Sequence, residues 1–151
     1  MIVYADTSAL VKLFLREPGS EAFADFLRYK ELATSSLSFA EAQATFARRL
    51  REGWLDDHSF EQVQSQFAAA WNATVEVLLD AEVQAAIPDL CRRHPLRGGD
   101  AIQLSSALFL FHEGLNVVFA CADSRLLGAA RFERLTVYDA SNAADLRSAQ
   151  S

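Results

Sequence analysis

Short apolar runs alternate along this chain with longer stretches whose apolar residues recur every three or four positions, and that alternation leaves few folds open. The short runs cover residues 2–4, 32–35, 74–79, 117–122 and 135–138. They are rich in β-branched and aromatic side chains, as buried strands are. Helical spacing predicts a first helix from Thr7 and Ser8 through Leu10, Leu13 and Phe14, ended by Pro18 and Gly19. A second buries Phe23, Phe26 and Leu27 and runs out near Tyr29. Further helices are predicted over residues 37–52, 59–72, 81–94, 100–113 and 124–131. Asp80 stands where it caps the helix over residues 81–94, and Pro88 inside it predicts a kink or a short break near Ala86. Gly98 and Gly99 read as a flexible lead-in to the helix that begins at Asp100. No Asn-Gly or similar hairpin signal separates the runs. An α/β protein follows, with a mainly parallel sheet covered on both faces.

At 151 residues, with 51% hydrophobic and 23% charged side chains, the chain is one domain's worth, residues 1–151, whose last stretch from about 140 to 151 reads as a polar, loose tail. Cys91 and Cys121 have no zinc-ligand spacing and read as reduced core thiols, as in a cytosol. The longest apolar run falls short of the roughly 18 residues that a membrane span requires, and no signal segment is visible. A soluble, cytoplasmic protein without a membrane partner is expected. The net charge of −6 argues against holding nucleic acid by an overall field, but carboxylates gathered at a metal site give the same sign.

Asp6 and Asp123 directly follow strand-like runs, while Glu41 and Asp100 sit in the first turns of helices. Each acid has a plain explanation as a helix cap: Asp100 with Gln103, and Ser38 with Glu41, fit the capping-box spacing. Caps need not converge, however, and in a parallel sheet these positions share one edge, where ligands bind. Carboxylates packed together raise one another's pKa and stay ionised only beside a cation. An all-oxygen ligand set selects Mg²⁺ or Mn²⁺ over zinc. His58, His94 and His112 show no ligand spacing. Such an ion acts on phosphates, which makes phosphodiester hydrolysis the reaction class. Thr7 and Ser8 lie beside Asp6, where a hydroxyl can serve a bound water or cap the helix. Neither a nucleophile elbow nor a P-loop is present.

Four segments carry a family resemblance: Val3-Tyr4-Ala5-Asp6-Thr7-Ser8-Ala9-Leu10, Ser35-Ser36-Leu37-Ser38-Phe39-Ala40-Glu41, Asp100-Ala101-Ile102-Gln103-Leu104, and Phe119-Ala120-Cys121-Ala122-Asp123-Ser124-Arg125-Leu126. In this order they resemble the acidic motifs of PIN domains, most closely the VapC-type toxin ribonucleases. The resemblance implies a three-layer α/β/α fold and Mg²⁺- or Mn²⁺-dependent endoribonuclease activity on RNA. It also implies a homodimer and inhibition by a small cognate antitoxin. By position, Asp6, Glu41, Asp100 and Asp123 take the family's metal-ligand roles. Some relatives carry a further acid after the fourth, where this chain has Ser124 and Arg125. That departure implies one firmly held ion and a weaker, substrate-assisted second.

Arg48, Arg49 and Arg51 close the helix that begins before Glu41, and Arg92, Arg93 and Arg97 lead toward Asp100. Arg97, Arg48 and Arg49 are the candidates for RNA phosphate contacts, against the alternative of solvated helix ends. Phe60, Phe67 and Trp71 have core spacing rather than that of a stacking platform. An exposed apolar face on the first helices is where a second copy or an antitoxin would dock. Three rival readings stand beside this one. They are a housekeeping nuclease of the same fold, a silent RNA- or protein-binding module that keeps the acids as caps, and a phosphotransfer domain. The last lacks a second acid two residues after Asp6, where Ser8 stands.

Overall fold

The computed structural model describes residues 1–141. Five strands, β1 (Ile2–Ala5), β2 (Glu31–Ser35), β3 (Val75–Val77), β4 (Val117–Cys121) and β5 (Thr136–Asp139), form one sheet. Their order is β3-β2-β1-β4-β5, and every pairing is parallel. The chain walks outward from β1 to β3 on one side, then crosses back to β4 and β5 on the other. That reversal puts the topological switch point at the carboxyl ends of β1 and β4.

The helices are α1 (Thr7–Leu10), α2 (Ser20–Leu27), α3 (Leu37–Arg51), α4 (Asp57–Asn72), α5 (Ala81–Arg93), α6 (Gly98–His112) and α7 (Ser124–Phe132). Strand alternation divides the core in two. Ile2, Tyr4, Phe119 and Cys121 face a cluster with Val83, Leu90, Leu104, Leu126 and Leu127 from α5, α6 and α7. Val3, Ala5, Val118 and Ala120 face Leu10, Phe23, Phe46, Val63 and Phe67 from α1 to α4. The result is a three-layer α/β/α sandwich with a fully parallel sheet, because strands buried on both faces must be apolar at every position. Phe67 is 1% exposed and packs against Phe14, Phe39, Phe46 and Trp71, so the aromatic stripe of α4 belongs to the core.

The structure corrects several expectations. The first helix is not continuous: α1 ends at Leu10, and Val11–Leu13 tightens into a 3-10 turn. Carbonyls beyond that turn go to side chains instead, Leu15 O accepting from Ser20 Oγ at 2.9 Å and Pro18 O from Lys12 Nζ at 2.9 Å. Gly19 does more than stop a helix. Its φ is +88, and a Cβ there would lie 2.2 Å from the Ala140 carbonyl oxygen, so only glycine fits. Pro88 lies inside an unbroken α5, on its exposed side. Helix α6 starts at Gly98, so the two glycines form its first turn rather than a lead-in. Cys91 is exposed, whereas Cys121 is buried. Ala140 is fully buried and donates its N–H to Cys121 O at 2.8 Å. Apart from Ala140 and Ser141, the expected tail lies outside the described residues. Among the described residues no helix is long and apolar enough to cross a membrane.

Candidate active site

The switch point opens into a cavity of about 670 Å³ lined by Asp6, Glu41, Asp100 and Asp123, and by Thr7, Ser8, Arg48, Arg49 and Arg97. The four acids, the two hydroxyls beside Asp6 and the three arginines named as phosphate contacts therefore reach this one cavity. The elements explain why. Asp6 follows β1, Asp123 follows β4, Glu41 lies in the second turn of α3, and Asp100 lies in the first turn of α6. Helix α6 packs across β2 and β4, which carries its N-terminus over the same sheet edge.

Asp6 is 6% exposed. Its Oδ1 caps α1 by accepting from Ala9 N at 3.0 Å and also accepts from Ser8 Oγ at 2.7 Å. Its Oδ2 accepts from the Cys121 thiol at 3.3 Å. Burial pushes the carboxyl up to about 6; the three donors pull it down, and the charge of Asp100 adds to the rise. Ser8 also accepts from Ala122 N at 2.9 Å, so one hydroxyl ties the end of β1 to the end of β4. Asp123 is exposed and caps α7, its Oδ1 accepting from Arg125 N at 2.8 Å and Leu126 N at 3.4 Å.

The capping explanation, which fits Asp6 and Asp123, fails for the other two. Arg97 occupies the N-cap position of α6, and Ser36 that of α3. Half-buried Asp100 has its pKa raised, first by burial and then by the charges of Asp123 and Glu41, with Arg97 acting against them. Glu41 Oε1 accepts from Thr7 Oγ1 at 2.7 Å and from Gln103 Nε2 at 3.2 Å. Gln103, paired with Asp100 as a capping box by sequence spacing, turns inward instead; it is 2% exposed, and its Oε1 accepts from Tyr4 Oη at 2.6 Å. Sequence reasoning gave Gln103 only that capping role and did not single out Tyr4 as a functional side chain. The one available signal was a phenol inside an otherwise aliphatic strand, which needs a buried partner for its hydroxyl.

Lys12 and Glu17 also line the cavity and were not foreseen. Glu17 bridges Lys12 Nζ at 3.1 Å and Arg49 at 2.8 Å, fastening α3 to the segment after α1. Of the three candidate arginines, Arg49 is thus held by a carboxylate, while Arg48 and Arg97 are exposed. Arg93 pairs with Glu133, away from the cavity.

Among the described residues, no group of three or more His, Cys, Asp or Glu side chains is drawn together as a closed metal cage. The donor chemistry still suits a hard divalent ion: burial first, and then the charge of Asp100 on Asp6 and of Asp123 and Glu41 on Asp100, raise the proton affinity of Asp6 and Asp100, which a neutralising cation would offset. Mg²⁺ keeps several waters and is usually held by one or two protein carboxylates rather than by a full cage. An open, all-oxygen site fits that habit.

The family model described as PIN domain matches residues 3–140. Two curated proteins of Mycobacterium tuberculosis, Ribonuclease VapC45 and Ribonuclease VapC49, are each 36% identical over 126 residues, 83% of this chain and 86% of theirs. Among solved structures, that of VapBC2 from Rickettsia felis bound to a DNA fragment from its promoter superimposes with a TM-score of 0.64 at 16% identity, over 91% of this chain and 98% of the other. FitAcB from Neisseria gonorrhoeae gives a TM-score of 0.64 at 16% identity, over 93% and 98%. These two share the fold. The family match across nearly all of the described chain, together with 36% identity to the two mycobacterial ribonucleases, shows that this chain belongs to the PIN-domain family.

Proposed function

We propose that the protein is a metal-dependent endoribonuclease, the toxin of a toxin–antitoxin pair, acting in the cytoplasm through the cavity at the switch point. The observation that carries this reading is the chemistry of that cavity. Asp6, Glu41, Asp100 and Asp123 meet there beside Arg48, Arg49 and Arg97, on a chain related to two ribonucleases.

In this reading Asp6, Asp100, Glu41 and Asp123 hold Mg²⁺ or Mn²⁺. When bound, the ion supplies positive charge against the scissile phosphate and lowers the pKa of a water for attack. The chain's own residues do the rest. Ser8 and Ala9 N–H fix the Asp6 carboxyl at the end of β1, and Thr7 holds one oxygen of Glu41. Exposed Arg48 and Arg97 meet phosphates of the RNA, and Arg49 is oriented by Glu17. The groove beside the cavity, about 680 Å³ and lined by Leu13, Phe14, Trp54 and Leu55 among charged and polar residues such as Arg16 and Glu21, suits a small antitoxin. We assign residues 1–151 to one domain and the active form to a homodimer.

Cleavage of a labelled RNA should require Mn²⁺ or Mg²⁺, stop with chelator and be lost in Asp6→Asn. Induction in a host should arrest growth unless a small neighbouring gene is co-expressed. Equal cleavage in all tubes, or none in any, overturns the metal-dependent reading. Cleavage without growth arrest overturns the toxin reading and favours a housekeeping nuclease.

A further inference from the structure

Gln103 stands at the centre of a buried hydrogen-bond network that joins four elements, β1, α1, α3 and α6, and its partners favour one orientation of the amide. Tyr4 is fully buried, and its hydroxyl lies 2.6 Å from Gln103 Oε1. A neutral phenol has one proton to give, and an amide oxygen only accepts, so Tyr4 donates. The Gln103 amide nitrogen then faces the other way. It reaches Ser38 Oγ at 3.0 Å and lies 3.2 Å from both Thr7 Oγ1 and Glu41 Oε1. Turning the amide over would set its oxygen against the Glu41 carboxylate and its nitrogen against the phenol. The phenol oxygen still accepts from that nitrogen, but an amide oxygen and a carboxylate share no proton, so the Glu41 contact is lost in a region where unmet polar groups are costly.

The consequence falls on Glu41. Thr7 and Gln103 both donate to Oε1. The other oxygen, Oε2, is turned toward Gly99 at the start of α6, where even a Cβ would come within 3.6 Å of it. Gly99 and Asp100 line the same cavity. One oxygen of the carboxylate is thus fixed by protein donors, and the other is presented to the cavity beside Asp100.

We propose that Gln103 is a positioning residue, oriented by Tyr4, that selects which Glu41 oxygen faces the divalent ion. The idea rests on the metal-dependent reading given above. Gln103 does not touch the ion or the RNA; it acts through Glu41. Residues that orient a ligand in this way typically change metal affinity about tenfold to a hundredfold when removed.

The test is Mn²⁺ binding to the full chain, measured by electron paramagnetic resonance, alongside single-turnover RNA cleavage and thermal melting. Gln103→Leu removes the donor. Gln103→Glu keeps the volume and the acceptor for Tyr4 but sets an oxygen against Glu41, which guards against a failure of Leu to fold. Both should weaken Mn²⁺ binding by about tenfold or more, and should lower kcat more than they raise KM. Tyr4→Phe removes the donor to Gln103 Oε1 and so loosens the amide, and should weaken binding by a few fold, about the worth of one net hydrogen bond. In a Glu41→Gln background, Gln103→Leu should add almost nothing, since its effect passes through Glu41. A folded Gln103→Glu protein that binds Mn²⁺ as the parent does, while Glu41→Gln loses it, overturns the positioning role and leaves the metal reading intact. Full additivity of the two changes also overturns it. If the parent itself binds no Mn²⁺, the metal reading falls and this role falls with it.

Discussion

Asp6 is a carboxyl group held almost out of water by a hydroxyl, a backbone N–H and a thiol. Those donors do not offset burial, and its pKa rises from 3.8 to about 6. The metal-free fold therefore prefers the protonated acid. Below about pH 3.8 both folded and unfolded chains carry the proton and the group has no effect. Between about 3.8 and 6 the unfolded chain releases its proton first, so stability falls as pH rises; above 6 the full penalty is present. Two pKa units correspond to about 3 kcal/mol. Asp6→Asn keeps an acceptor for Ala9 N and removes the charge. In chelator at pH 8, it should melt several degrees above the parent, with the gap closing toward pH 4. Added Mn²⁺ should raise the parent's Tm and leave the variant's unchanged, because only a state that binds the ion is stabilised by it. At this scale the sequence was half legible. The position of Asp6 after a strand was enough to nominate it. The role of Gln103 was not, because its partner Tyr4 lies 99 residues away and only the folded sheet brings the two within 2.6 Å.

Elements were more legible than side chains, for a physical reason: period alone separates a doubly buried strand from an amphipathic helix. The centre of the sheet shows this, since β1 and β4 are apolar at every position. Errors gathered where glycine, proline or a short helix decides the local path. Gly98 and Gly99 read as a lead-in because their helix propensity is poor, yet α6 begins on them. Helix α1 ends early because the backbone tightens after Leu10 into a 3-10 turn, closed by Phe14 N–H donating to Val11 O at 3.1 Å, which apolar spacing does not distinguish from a further α turn. In α5 the tertiary packing of buried Val83 and Leu90 overrides Pro88. That proline still lacks an N–H for the carbonyl four residues earlier and sits on the exposed side of the helix. Pro88→Ala should therefore restore a helical hydrogen bond without opening a cavity. Propensity favours alanine by about 3 kcal/mol, and the freer unfolded chain takes back about 1. A net gain of about 2 kcal/mol corresponds to a Tm rise of roughly 4–8 °C for a domain of this size, read in a thermal melt. Unchanged or lower stability would overturn this propensity argument.

The molecule as a whole carries a net charge of −6, which ought to repel RNA at long range. Binding on this reading depends on a local reversal of sign, where Arg48, Arg49 and Arg97 ring a cavity that also holds the acids. The three are not equal. Arg49 is paired with Glu17 at 2.8 Å and so gives little net charge to a phosphate, while Arg48 and Arg97 are exposed. Counterion release then sets a shallow salt dependence. Two effective phosphate contacts on single-stranded RNA give a slope of about −1.4 in log affinity against log salt, and three give about −2.1. Measured by filter binding on a catalytically silent Asp6→Asn background with Mn²⁺ present, the parent slope should lie near the lower figure. Arg97→Gln and Arg48→Gln should each flatten it by about 0.7, the loss of one phosphate contact. Arg49→Gln should change the slope less, while loosening the tie between α3 and the segment after α1 and lowering Tm. A slope that none of the three substitutions alters would place the RNA on another face of the molecule.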